Sequence, residues 1–318
     1  MWISPYKYVL SLGHLCSDIN QSILSAVLPF LIATYHYDYT TAAMLVTVSN
    51  VFGAFVQPFI GMLSDKKNKL LYMTLGVLLA SGGMAVTGFI SNFFGLCIVV
   101  IMSGIGVAMF HPQAAKLFNS VSSKNAKGKG MSIFSFGGKV GFTLGPVYTA
   151  FLMNLFGMKG TILFLIPGIV FGIVCSFFNK DFENLDVLEV EKKEKVKSEQ
   201  KDDWSGFIKL CGVVFSRSIL SNGISTFLAF YFIQQFSKSN SFASMLLSVF
   251  YGIGSITLLG GGIADCFGHR KMVRLSFCIF LPAIFIFTNT SHFVIALIML
   301  IFMTCGESLS YSPMVVLG

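Results

Sequence analysis

Ten apolar runs, each about 20 residues long, follow one another along this 318-residue chain. They lie at about 8–34, 42–63, 70–90, 93–117, 130–154, 160–178, 207–235, 242–263, 271–289 and 293–312. A helix rises 1.5 Å per residue, so about 20 residues cross a hydrocarbon core about 30 Å thick. Backbone amides inside lipid must be satisfied internally, which leaves helices and closed barrels as the spanning structures. A barrel would show short segments of alternating hydrophobicity, a pattern these runs lack. Charged residues make up 11% of the chain, against about 25% in a soluble domain. The expectation is an all-α, multi-pass membrane protein.

The net charge of +8 is distributed by topology. Of 22 Lys and Arg, 18 fall in alternate connections: Lys7; Lys66, Lys67 and Lys69; Lys116 to Lys129; Lys180 to Lys209; and Arg270, Lys271 and Arg274. The opposite connections hold Lys159 and Lys238, while Lys139 and Arg217 lie inside runs. This positive-inside asymmetry predicts a cytoplasmic N-terminus and central loop. It argues against nucleic acid as a partner, because a nucleic-acid footprint clusters on one soluble face. Seven cysteines, scattered without CxxC spacing, read as small buried hydrophobes. A first run carrying His14, Asp18 and Asn20 does not suit a cleaved signal peptide.

The chain repeats itself. Gly61-Met62-Leu63-Ser64-Asp65-Lys66-Lys67-Asn68-Lys69 has a counterpart about 200 residues on, from Gly261 through Asp265 to Arg270 and Lys271. In both, glycine precedes aspartate by four positions and a basic cluster follows. Phe110-His111-Pro112 similarly matches Tyr311-Ser312-Pro313. A same-orientation repeat predicts two homologous bundles that rock around a central site. Gly61, Asp65, Lys66, Lys69, Gly261, Asp265 and Arg270 are then expected to act as gating loops, the aspartates capping helix ends or pairing with nearby bases. The break between halves is 179–206, with nine acids and six lysines. Residues 1–178 form a six-run half and 207–318 a four-run half, so two further spans are expected beyond the ten, or a truncated product.

Polar residues inside the runs carry the candidate chemistry. Ser11, His14, Asp18, Gln21 and Ser25 recur at three- and four-residue steps, one stripe on an otherwise aliphatic helix. A mid-membrane carboxylate costs several kcal/mol unless paired or hydrated. Asp18 is therefore either a proton carrier or part of a structural hydrogen-bond cluster. In the fourth run, Gly104 and Gly106 permit close helix contact and Pro112 removes a backbone hydrogen bond. His111 beside it either relays protons or satisfies a freed carbonyl. The fifth run carries Gly137, Gly141 and Gly145, then Pro146, a stripe against which another helix can lie. Lys139 either snorkels to the interface or enters a cavity as a cation for an anionic ligand. Arg217 and Asn222 in the seventh run, and Glu307 and Tyr311 in the tenth, occupy the matching positions of the second half. Arg217 or Lys139 can pair with Asp18 or Glu307, and spacing does not choose between them. No nucleotide loop, nucleophile elbow or metal-type His/Cys spacing is present, so no enzyme activity, metal or cofactor is expected.

These motifs resemble the major facilitator superfamily. Within it, Gly13 through Ser22, Gln57-Pro58 with Gly61 and Asp65, Gly104-x-Gly106 through Pro112, and Ser132-Ile133-Phe134 with Gly137-Gly138 and Gly145-Pro146 look like the fosmidomycin-resistance efflux family. The resemblance implies a two-bundle, twelve-span transporter in the bacterial inner membrane. It implies export of small, often anionic, drugs driven by a proton gradient, with spans 1, 4, 7 and 10 lining the cavity. The chain departs from that pattern at Gln113, where the family tends to an acid. This departure shifts the expected coupling site to Asp18 or Glu307. A proton-coupled importer, or a truncated protein that binds without transporting, are the rival readings.

Overall fold

The computed structural model describes residues 5–64, 69–120, 127–178, 204–256 and 268–309, and every element among them is helical. The helices are α1 (Pro5–Tyr35), α2 (Tyr39–Ser64), α3 (Lys69–Val86), α4 (Phe93–Ser120), α5 (Lys127–Phe156), α6 (166–178), α7 (Trp204–Phe236), α8 (Asn240–Ile256), α9 (His269–Asn289) and α10 (Phe293–Leu309). Each coincides with one apolar run. The sixth run differs: a 3-10 helix, Gly157–Leu165, precedes the α-helical 166–178. Among the described residues, seven helical stretches are long and apolar enough to cross a membrane. The chain divides into two compact units, Met1–Lys197 and Ser198–Gly318. That division falls within 179–206.

In the first unit, small residues set the helix spacing. Alpha1 packs most extensively on α5, and α4 on α3 and α2. A Cβ added at Gly137 would collide with the Ser11 carbonyl, one at Gly141 with the Leu15 carbonyl, and one at Gly145 would stand 2.8 Å from the Ile19 carbonyl. Each four-residue step along α5 matches a four-residue step along α1 in the same direction, so these helices run parallel with backbones in near contact. Gly106 does the same against Gly76 and Ala80 of α3, and Gly104 against Ser49 of α2. Alpha4 and α5 continue through Pro112 and Pro146. Aromatics fill the remaining space: the Phe110 and Phe171 rings meet edge-on at 5.8 Å, and Gly13 leaves room for both against α1.

The second unit is built from α7 to α10, with α9 and α10 in broad contact. A Cβ at Gly306 would stand 2.9 Å from the Phe280 backbone nitrogen. An aromatic cluster of Tyr231, Phe232, Phe236, Phe287 and Phe293 holds one end. The Tyr231 hydroxyl donates to the Phe287 carbonyl at 2.6 Å.

The two units share a turn. Alpha1 is followed by His36 at φ 57°, and α7 by Ser237 at φ 50°. This is the left-handed residue that ends many helices. Two residues later, Asp38 Oδ1 accepts from the Thr41 amide at 2.6 Å, and Ser239 Oγ accepts from the Phe242 amide at 3.3 Å. Each side chain satisfies an amide that the next helix leaves open.

Close packing at Gly141 predicts a contrast between two glycine substitutions. Gly141→Ala places a Cβ against the Leu15 carbonyl and 3.1 Å from Asp18 Cβ. It should destabilise the protein by about 1–3 kcal/mol. Gly172→Ala meets nothing nearer than 3.8 Å, and should be neutral or stabilising by up to about 1 kcal/mol through helix propensity. Thermal unfolding of both variants in detergent checks the pair.

Candidate functional site

Asp18 sits mid-helix on α1 and is 3% exposed. One helical turn earlier, His14 presents Nε2 at 3.3 Å from Asp18 Oδ2. From α4, His111 presents Nε2 at 3.3 Å from Asp18 Oδ1. Both separations are ion-pair distances, and Oδ1 accepts no hydrogen bond of good geometry. The other ring nitrogen of His14, Nδ1, lies 2.8 Å from the Phe134 carbonyl of α5. A carbonyl only accepts, so Nδ1 carries the hydrogen. The His14 ring stacks on Phe134 at 4.2 Å and meets His111 edge-on at 5.2 Å. Three helices thus fix one carboxylate between two imidazoles.

Gly138 makes the arrangement fit. A Cβ there would stand 2.5 Å from Asp18 Oδ2 and 2.6 Å from His14 Nε2. The stripe of Gly137, Gly141 and Gly145 was legible from spacing, but the neighbouring glycine that faces the charged cluster was not distinguished. Its signal is a second glycine directly beside the stripe. Phe134 was missed for another reason: its contribution is a backbone carbonyl, which leaves no side-chain signature.

The other residues of α1 and α4 divide. Gln21 is exposed. Asn20, on a different face, is buried and donates to Ser81 Oγ of α3 at 2.8 Å. Gln113 is buried and donates to the Ile60 carbonyl at 3.3 Å, and Lys116 Nζ donates to the Gly61 carbonyl at 3.3 Å. Both side chains hold the C-terminal end of α2, where carbonyls lack helical partners and favour cations. Lys139 is half-buried on α5 and acts electrostatically on His14. A cavity of about 520 Å³ against α1 is lined by Leu12, Ile19, Tyr148, Phe151 and Pro167 among other apolar groups, and by none of His14, Asp18 and His111. Lacking any charged lining residue, it is separate from the Asp18 cluster.

In the second unit, the Arg217 guanidinium of α7 pairs directly with Glu307 Oε1 of α10. Their side chains are 15% and 10% exposed. Asn222 is exposed and donates to the Ser218 carbonyl of its own helix at 2.9 Å. Tyr251 of α8, not singled out from spacing, hydrogen-bonds Ser225 and lies near Glu307. Arg270 is exposed in the first turn of α9. Asp65, Lys66, Gly261, Asp265 and Tyr311 lie outside the described residues, and Lys69 opens α3.

The absence of metal-type spacing in the sequence does not carry over to the fold. His14, Asp18 and His111 bring three donor atoms within 4.8 Å of one another. The spacing from residue 18 to residue 111 conceals the group.

Removing one member of the Arg217–Glu307 pair leaves a charge in apolar surroundings. Glu307→Leu should cost about 3–5 kcal/mol, and the Arg217→Leu/Glu307→Leu double variant should regain most of it. Thermal unfolding of the three proteins in detergent measures the recovery.

The family model of the Major Facilitator Superfamily matches residues 10–318. Over 276 residues the chain is 23% identical to the fosmidomycin resistance protein of Escherichia coli (strain K12), covering 83% of this chain and 66% of that protein. It is 24% identical over 278 residues to YfnC, an uncharacterized MFS-type transporter of Bacillus subtilis (strain 168), covering 85% and 68%. The chain thus spans about two thirds of the length of these curated relatives. A crystal structure of a bacterial homolog of the human lysosomal transporter Spinster, inward-facing and occupied, superposes with a TM-score of 0.78 at 16% identity. That likeness covers 98% of this chain and 73% of the other, and it shows the fold.

Proposed function

The chain belongs to the major facilitator superfamily, and from that premise we propose that it exports a small, often anionic, organic molecule in exchange for protons. Members of this family are multi-pass membrane transporters and not enzymes. The similarity to a fosmidomycin resistance protein supports a drug-like cargo and an outward direction. The positive-inside charge pattern supports a cytoplasmic N-terminus and central loop.

One observation carries the coupling: the two halves give their buried carboxylates different partners. Glu307 faces a guanidinium, which keeps its charge at every physiological pH. Asp18 faces two imidazoles, which ordinarily titrate near neutrality. A carboxylate whose cationic partners can discharge is suited to gaining and losing a proton during a transport cycle. Asp18 is therefore the proposed proton carrier, with His14 and His111 as its immediate partners. Lys139, half-buried on α5 and close enough to act electrostatically on His14, is the proposed anchor for an anionic cargo.

The test is drug-dependent proton release from everted vesicles, with a panel of phosphonate-like and cationic drugs. The unmutated chain should release protons on drug addition, and Asp18→Asn should reduce the signal to that of empty vesicles. Lys139→Gln should raise KM for anionic drugs and leave cationic ones unchanged. Full proton release by a correctly inserted Asp18→Asn protein would refute the assignment.

A further inference from the structure

We propose that His14, Asp18 and His111 form a binding site for a divalent transition-metal ion of zinc's class. The inference stands apart from the direction and coupling of transport, because it concerns only what these donors bind.

The donor set is the first ground. Two imidazoles and one carboxylate are a combination that zinc, cobalt and nickel accept readily. The fold brings them together from two helices, their donor atoms all within 4.8 Å of one another.

Tautomer logic is the second. His14 Nδ1 holds its hydrogen toward the Phe134 carbonyl at 2.8 Å. In the neutral ring Nε2 is then a bare lone pair. It faces Asp18 Oδ2, another acceptor, at 3.3 Å. Charge-assisted hydrogen bonds are ordinarily shorter, about 2.7–2.9 Å. Tetrahedral geometry places ligands at 1.63 times the bond length, so bonds of about 2.0–2.1 Å put neighbouring ligands about 3.3–3.4 Å apart. His14 Nε2 lies 3.3 Å from Oδ2 and His111 Nε2 lies 3.3 Å from Oδ1, so the carboxylate turns one oxygen to each imidazole at about that spacing.

The surroundings are the third. A ligating histidine usually donates its second N–H to a carbonyl or carboxylate, which aims the ring; Phe134 does this for His14. Asp18 Oδ1 is buried and, apart from His111 Nε2 at 3.3 Å, has no polar partner of good hydrogen-bond geometry. Gly138 contributes no side chain beside the donors, and a Cβ there would crowd two of them. The His111 side chain is 28% exposed, leaving an approach from one side. Three protein ligands leave a fourth position for water or an anion.

Calorimetry on the full-length chain in detergent, titrated with Zn²⁺ and separately with Mg²⁺, tests the site. The expected result is one zinc bound per chain and no response to magnesium. His14→Gln, His111→Gln and Asp18→Asn should each weaken zinc by at least about tenfold, since even outer partners of a ligand cost that much. Should a variant fail to fold, the unmutated protein titrated with Co²⁺ gives an independent reading. Visible bands of a tetrahedral nitrogen- and oxygen-ligated ion are expected, without thiolate charge-transfer bands. Unchanged zinc affinity in a folded His14→Gln/His111→Gln double variant, thiolate bands, or no binding by the unmutated chain would each overturn the proposal. The last outcome would leave an imidazolium–carboxylate cluster in its place.

Discussion

The near-contact of α1 and α5 governs the first unit. Helices in lipid gain little from burying apolar surface against one another, so close backbone approach supplies much of their attraction. Gly137, Gly141 and Gly145 allow that approach, in register with Ser11, Leu15 and Ile19. The same register decides where the Phe134 carbonyl and the gap at Gly138 fall relative to His14 and Asp18. A looser α1–α5 pair would separate His14 Nδ1 from its carbonyl, and the ring would lose its fixed orientation. Packing and electrostatics are therefore one design here: the glycine stripe is what makes the buried carboxylate tolerable.

Each unit tolerates its buried charge by a different route. A charge inside apolar surroundings needs an opposite charge with good geometry. In the second unit that partner is a guanidinium, paired directly with Glu307. In the first unit the partners are two imidazoles, groups that can carry a proton or, as proposed above, ligate a metal ion. His111, partly exposed, is the member of the cluster open to its surroundings.

Much of this was legible in the sequence because it is local. Each apolar run coincides with helix among the described residues, and seven helical stretches there are long and apolar enough to span, since span length follows from bilayer thickness. The His14–Asp18 pair followed from a four-residue step on one helix. What stayed hidden depends on tertiary approach. Spacing left Arg217 and Lys139 as alternative partners for Asp18 or Glu307, and only the fold joined Arg217 to Glu307. Gln113 looked like a neutralised coupling residue, yet its amide secures the end of α2, a role that needs α2 to be adjacent. Phe134 acts through its backbone, which no residue type announces. The 3-10 stretch before α6 was concealed by an apolar composition that suits either helix type.

The repeat extends further in backbone than in chemistry. His36 and Ser237 differ in every side-chain property, yet both take the left-handed conformation directly after a helix. Asp38 and Ser239 differ in charge, yet both accept from the amide three residues on. The turn needs only a residue that accepts positive φ and a short oxygen-bearing cap, so several residue types serve. Buried charges have no such latitude, because each must match its partner in sign, reach and geometry. Two halves can therefore share a scaffold while one carries a guanidinium–carboxylate pair and the other a carboxylate between two imidazoles.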